Sequence, residues 1–178
     1  MQTEPVMKMY SSSAFRIAAA TVFAALVAAV TYVTTIPLVG GATFNLGEAL
    51  IYSAALLLGP FVGAFAGVGA VIADISLAPS YVPVTPFIKA VEGFLVGYLI
   101  KRLNKRVKNL TLCAFVAILI GGFEMVGGYF VYEVFMWGYA YALGGLLFNI
   151  IQMLSGLIIA IPVMYAVLRV FPQLKIYL

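Results

Sequence analysis

Histidine is absent from this 178-residue chain, cysteine occurs once, and charged side chains make up only 9% of it. Without histidine there is no Ser–His triad, no imidazole metal cluster and no histidine proton relay. Cys113 alone can form neither an intramolecular disulfide nor a CxxC site. No glycine-rich run ends in Lys-Ser or Lys-Thr, so the chain has no Walker-type phosphate loop. The charge content lies far below the roughly 25% of ordinary globular proteins. What fills the space is apolar: 65% of the residues are hydrophobic, more than a water-soluble domain of this size can hide. These figures exclude a soluble enzyme, a disordered tail and a nucleic-acid module. They imply an all-α polytopic membrane protein, a single domain over residues 1–178.

The net charge of +4 is not a nucleic-acid footprint, because half of the ten basic residues sit in one stretch: Lys101, Arg102, Lys105, Arg106 and Lys108. Apolar runs between turn residues predict six transmembrane segments, over about 14–36, 48–58, 61–75, 85–100, 109–132 and 143–168. The first is too long for a signal-peptide core and reads as a retained helix ended by Pro37 and Gly40-Gly41. The second and third are each short of a full span, and could be one helix kinked at Gly59-Pro60. Charge parity separates these readings. Lys8 and Arg16 place the N-terminus inside, and only six spans keep the Lys101–Lys108 loop and the Arg169/Lys175 tail on the same side. The short pair must then be tilted or sheltered by neighbours. Both termini are predicted to be cytoplasmic, in a multi-pass protein of the plasma membrane.

Small residues recur in register. Ala20, Ala24 and Ala28 form a four-residue ladder on the first helix, with Ala14 and Ala18, and Ala25 and Ala29, on adjacent rows. Gly59, Gly63 and Gly67, then Gly93 and Gly97, form two further rows. Small-xxx-small rows let helices approach closely in lipid. The glycine rows read as internal packing. The alanine ladder, on a helix with more small faces than one internal contact needs, could instead bind another membrane protein.

Ionisable groups at membrane depth require a partner or a water-filled cavity. Asp74, Lys89 and Glu92 are expected to form a structural ion cluster clamping the third and fourth segments. Glu124 lies roughly 12 Å inside the outer end of the fifth segment, and Gln152 roughly 13 Å inside that of the sixth. Asn149 shares the face of Gln152. The matching depths suggest a pocket open to the outside, lined by Glu124, Asn149 and Gln152 and with Lys89 in reach. Phe44 and Asn45 of the first outer loop would cover it, and Tyr81, Tyr132 and Trp137 would stand at its rim. The aromatics also fit a plain interfacial belt, and the amides fit interhelical glue.

Several runs carry a resemblance to a known family. Phe44-Asn45-Leu46-Gly47-Glu48-Ala49, the string Leu56 to Ala64 (LLLGPFVGA), Ala73-Asp74, and Phe87 to Gly97 (FIKAVEGFLVG) are similar to the substrate-binding S component of energy-coupling-factor (ECF) vitamin transporters. The resemblance covers most of the chain. It implies a six-helix subunit that captures a micronutrient at its outer face and docks onto a membrane-embedded T component driven by two cytoplasmic ATPases. It implies no cofactor and no metal in this chain, ATP being used by the partner subunits. The family's small-residue docking feature on helix 1 would fall on Ala20, Ala24 and Ala28. Asn149-Ile150-Ile151-Gln152 is similar to the Asn-x-x-Lys of riboflavin-specific members, with Gln152 where the lysine would stand. The ligand therefore stays open among riboflavin, a thiamine-related pyrimidine, a deazapurine precursor and other planar heterocycles.

The expectation is thus a binding subunit, not an enzyme, whose partners are membrane lipid, the T component, the two ATPases and a small vitamin-like solute, with no nucleic acid. The alternative is an autonomous proton-coupled secondary carrier using Glu124. Against it, the two three-span halves show no inverted-repeat echo.

Overall fold

The computed structural model describes residue 9 and residues 12–37 and 43–178. Lys8 and the Gly40-Gly41 stop of the first segment lie outside the described residues. Helix α1, Ser13–Thr34, is capped by Ser12, whose hydroxyl accepts from the Phe15 amide. Strand β1 (Ile36–Pro37) pairs antiparallel with β2 (Thr43–Phe44), Ile36 opposite Phe44. Helical geometry then runs through Gly47–Val68 except at Gly59, whose φ of 83° and ψ of −174° break it.

That break is a reversal and not a kink. A side chain built on Gly63 would meet Ala55 at 2.7 Å, whereas residues eight apart on one helix are about 12 Å apart. Residues 47–58 (α2) and 60–77 (α3) are therefore antiparallel rods. Gly59 supplies the left-handed backbone that other residues adopt at a cost, and Pro60 opens the next helix, where its missing N–H does no harm. Gly69 interrupts α3 with a tighter turn, its amide donating to Ala66 O, before the chain continues as Ala70–Leu77. The short second segment is sheltered as its length requires: every residue from 47 to 59 except Leu50 is buried.

A 3₁₀ turn, Pro79–Tyr81, leads to α4, Thr85–Asn104. Helix α5, Leu110–Trp137, is capped by Asn109, and α6 covers Tyr139–Val170. The aromatic, tyrosine-rich stretch 133–142, expected as a connection, is almost all helix. Only Gly138, with φ 90°, separates α5 from α6. A final 3₁₀ segment, Pro172–Tyr177, packs back on the bundle. Four stretches among the described residues are long and apolar enough to cross a membrane: Ser13–Thr34, Gly47–Leu77 (which folds back at Gly59), Leu110–Trp137 and Tyr139–Val170. The chain is an all-α multi-pass membrane protein.

The glycine rows face each other. Gly63 lies against the Gly93 backbone, Gly67 against Lys89 and Gly97 against Pro60, so α3 and α4 meet backbone to backbone with no room for side chains. The alanine ladder lies toward the bundle. Ala20 is buried, and the Ala24 backbone is what a side chain on Gly69 would strike. Ala20, Ala24 and Ala28 therefore line the inner side of α1, with Ala24 against α3. Ala24 and Ala28 remain half-buried, with part of their surface still exposed. The exposed alanines of α1 are Ala14, Ala18, Ala25 and Ala29.

Candidate functional site

A polar cavity opens at the end of the bundle where α2 and α4 begin and α3 ends. The opposite end gathers Arg16, the Gly59-Pro60 turn, Lys101 and Tyr177. The enclosed space of the polar cavity amounts to about 50 Å³, room for a few waters and less than a heterocycle needs. Its floor is an ionic chain. Lys89, on α4, is bonded to Glu48 at the start of α2 and to Glu92 one turn on, at 3.2 Å. Glu92 also accepts from the Tyr52 hydroxyl at 2.6 Å, and Lys89 lies over the Tyr129 ring, 5.4 Å from its centre. Glu48, Lys89 and Glu92 are 1%, 3% and 0% exposed. A buried charge of this kind is tolerable only when paired and hydrogen-bonded.

Gln152 of α6 ties the floor to the loop. Its Nε2 donates to Glu48 Oε1 at 2.7 Å, and its Oε1 accepts from the Asn45 amide at 3.1 Å. Asn45 in turn uses its side-chain oxygen to accept from Gly47 N at 2.9 Å, fixing the first turn of α2. On the far wall, Tyr81 donates to Glu133 Oε1 at 2.9 Å, and Thr85 donates to Asp74 Oδ2 at 2.6 Å. Burial is the main cause of the upward shift of the Tyr81 hydroxyl, reinforced by Tyr141 and Glu133, so it remains a protonated donor at neutral pH.

The residues anticipated from sequence are brought together only in part. Asn45, Tyr81, Lys89, Asn149 and Gln152 lie on the cavity wall. Phe44 sits beside it on β2, and Tyr132 and Trp137 pack at a tilt against Tyr81, with ring centres at 5.8 and 5.3 Å, without reaching the wall. The expected ion cluster is corrected in one member. Asp74 is bonded to Thr85, and Glu48 takes its place beside Lys89 and Glu92. Glu124 is also corrected. Its neighbours along the helix, Gly121 and Gly128, face Val96 and Ile88 of α4, and Glu124 is not among the residues that line the cavity. Depth matched that of Gln152, but the helical face did not.

Glu48 and Glu133 were missed as site residues. Glu48 stood out only as the boundary of a span and as a member of the Phe44–Ala49 run, and Glu133 was assigned to a connection but lies near the end of α5. A polar residue placed four after Tyr129, which itself faces the cavity, was the available signal for Glu133. Among the described residues no cluster of three histidine, cysteine or acidic side chains could hold a metal ion.

A helical membrane bundle with an enclosed polar cavity at one end has the form of a transport subunit. The sequence model of the ECF-type riboflavin transporter S component matches residues 11–169, and the chain belongs to that family, whose members are transporter subunits and not enzymes. It is also similar to a protein of Pyrococcus woesei described as an uncharacterized protein in a gap 3′ region. The two are 35% identical over 116 residues, which span 65% of this chain and 75% of that one.

Proposed function

We propose that this chain captures a small, planar, vitamin-like solute for an ECF-type importer, with riboflavin as the first candidate. The observation that carries the reading is the cavity itself: amides from the loop and from α6 converge with a buried ionic floor in the interior of an otherwise apolar bundle. Apart from Lys89, the described basic residues lie toward the other end, including Arg16 and Lys101. By the positive-inside rule that end is cytoplasmic and the cavity faces outward. On this reading the six rods are six crossings, with both termini inside, in the plasma membrane.

The cavity is smaller than a heterocycle, so the solute enters by separating its walls. The element free to yield is β2 with Asn45, attached by a few hydrogen bonds and only half-buried. Energy comes from a T component and two ATPases, since this chain has no phosphate loop. Docking onto the T component uses the lipid-exposed face of α1 bearing Ala14, Ala18, Ala25 and Ala29, where small side chains permit close approach.

The test is calorimetric titration of the detergent-purified chain with riboflavin and with whatever solute mass spectrometry finds copurifying. Asn149→Ala should weaken binding about tenfold or more while leaving thermal unfolding unchanged. Undiminished affinity in both Asn149→Ala and Gln152→Ala would remove the cavity as the binding site.

A further inference from the structure

The charges facing the cavity do not cancel. Glu48, Asp74 and Glu133 stand against Lys89 alone, and Lys89 is already divided between Glu48 and Glu92. One amide donor of the wall is already spent, Gln152 Nε2 on Glu48. Acceptors, by contrast, are left over. Glu48 Oε2, Glu133 Oε2 and Thr31 Oγ1 are shut away from solvent with no hydrogen-bond partner in the protein. Their residues are 1%, 3% and 3% exposed, and all three line the cavity. The Glu133 carboxylate is held in place by Tyr81 on one oxygen and by the bare backbone of Gly145 against the other, where any side chain would collide with it.

Buried acceptors without partners are expensive, and native proteins rarely leave several together unless something supplies donors. We infer that the solute presents hydrogen-bond donors to Glu48, Glu133 and Thr31 and carries no net negative charge, so that the chain selects the unphosphorylated form of a vitamin over its phosphate ester. A phosphate dianion would meet a wall that carries three carboxyl groups and whose one ammonium is occupied. The inference deepens the proposed function and rests on the cavity being the capture site.

The test uses the full chain in detergent, stripped of copurifying solute. It is titrated with riboflavin and its 5′-phosphate, and with thiamine and thiamine monophosphate. In whichever pair binds, the unphosphorylated member is expected to bind at least about 100-fold more tightly. Glu133→Gln, which exchanges an acceptor for a donor, should narrow that ratio to about tenfold or less. Thr31→Val keeps the shape, loses the hydroxyl, and should weaken the unphosphorylated member about tenfold; it serves as the readout should Glu133→Gln fail to fold. Equal affinity within a pair, or a preference for the ester, overturns the inference and leaves the cavity standing as the site. Ratios and affinities untouched by either substitution overturn the assignment to this wall. Failure of all four compounds and of any copurifying solute to bind removes the capture reading, and the inference falls with it.

Discussion

Replacing Lys89 by methionine keeps most of the length of the side chain and deletes its charge, leaving two carboxyl groups without a cation in the interior. Glu48 would retain the Gln152 amide at 2.7 Å and Glu92 the Tyr52 hydroxyl at 2.6 Å, but neither would have a cation. Breaking a buried ion pair by removing one partner costs roughly 3–5 kcal/mol. Both acids are almost fully buried, so the upper part of that range is expected for the loss of a shared lysine. The triple change Lys89→Met, Glu48→Gln, Glu92→Gln deletes all three charges, and because neutral replacement of a buried pair is often harmless, it should recover at least half of the loss. Trp137 is the only tryptophan and packs against Tyr81, Tyr132 and Tyr141 near the cavity, so its emission reports unfolding by denaturant in detergent. A Lys89→Met protein within about 1 kcal/mol of the parent, or a triple variant no more stable than the single one, would refute the claim that Lys89 balances both acids.

Other expectations concern helix contacts and the loop. Gly63→Val pushes a side chain into the Gly93 carbonyl, 2.5 Å from the new Cβ, and should destabilise by about 1–3 kcal/mol or more, read as a lower melting temperature or lost expression. Ala24→Leu should unsettle the α1–α3 seam and lower the melting temperature. Ala25→Leu should leave the isolated chain intact and abolish copurification with the T component; the reverse pattern would restore the inner alanine ladder as the docking face. Gln152→Ala removes the acceptor of the Asn45 amide and a donor to Glu48, and should lower solute affinity about tenfold or more with little change in overall helicity by circular dichroism.

Local chemistry made much of the fold legible beforehand. Gly59-Pro60 marks a reversal because glycine takes the positive φ and proline starts the next helix, and parity of charge chose two rods over one. The glycine rows announced backbone contact but could not say which helix they met; only the antiparallel pairing of α3 with α4 places Gly63 on Gly93. The site was harder for a related reason. Lys89 pairs with Glu48 across forty-one residues of chain, and nothing local distinguishes that acid from Asp74, which is nearer in sequence and also at the cavity end. Glu124 shows the limit of depth as a guide: position along a helix axis follows from counting, whereas rotation about it depends on neighbours, and Val96 and Ile88 of α4 took that side. Alanine has the same ambiguity on α1, where every face carries small residues and packing alone decides which face is used.

The buried rod 47–58 also bears on biogenesis. Too short to lodge in a bilayer alone and headed by an acid whose counterion lies on a segment not yet synthesised, it must leave the translocon together with residues 60–77 as a helical hairpin. Glu48 would wait at the aqueous border until the ribosome has delivered Lys89. Closure of the core is therefore a late event in maturation, and variants at Lys89 should accumulate as membrane-inserted but protease-sensitive chains.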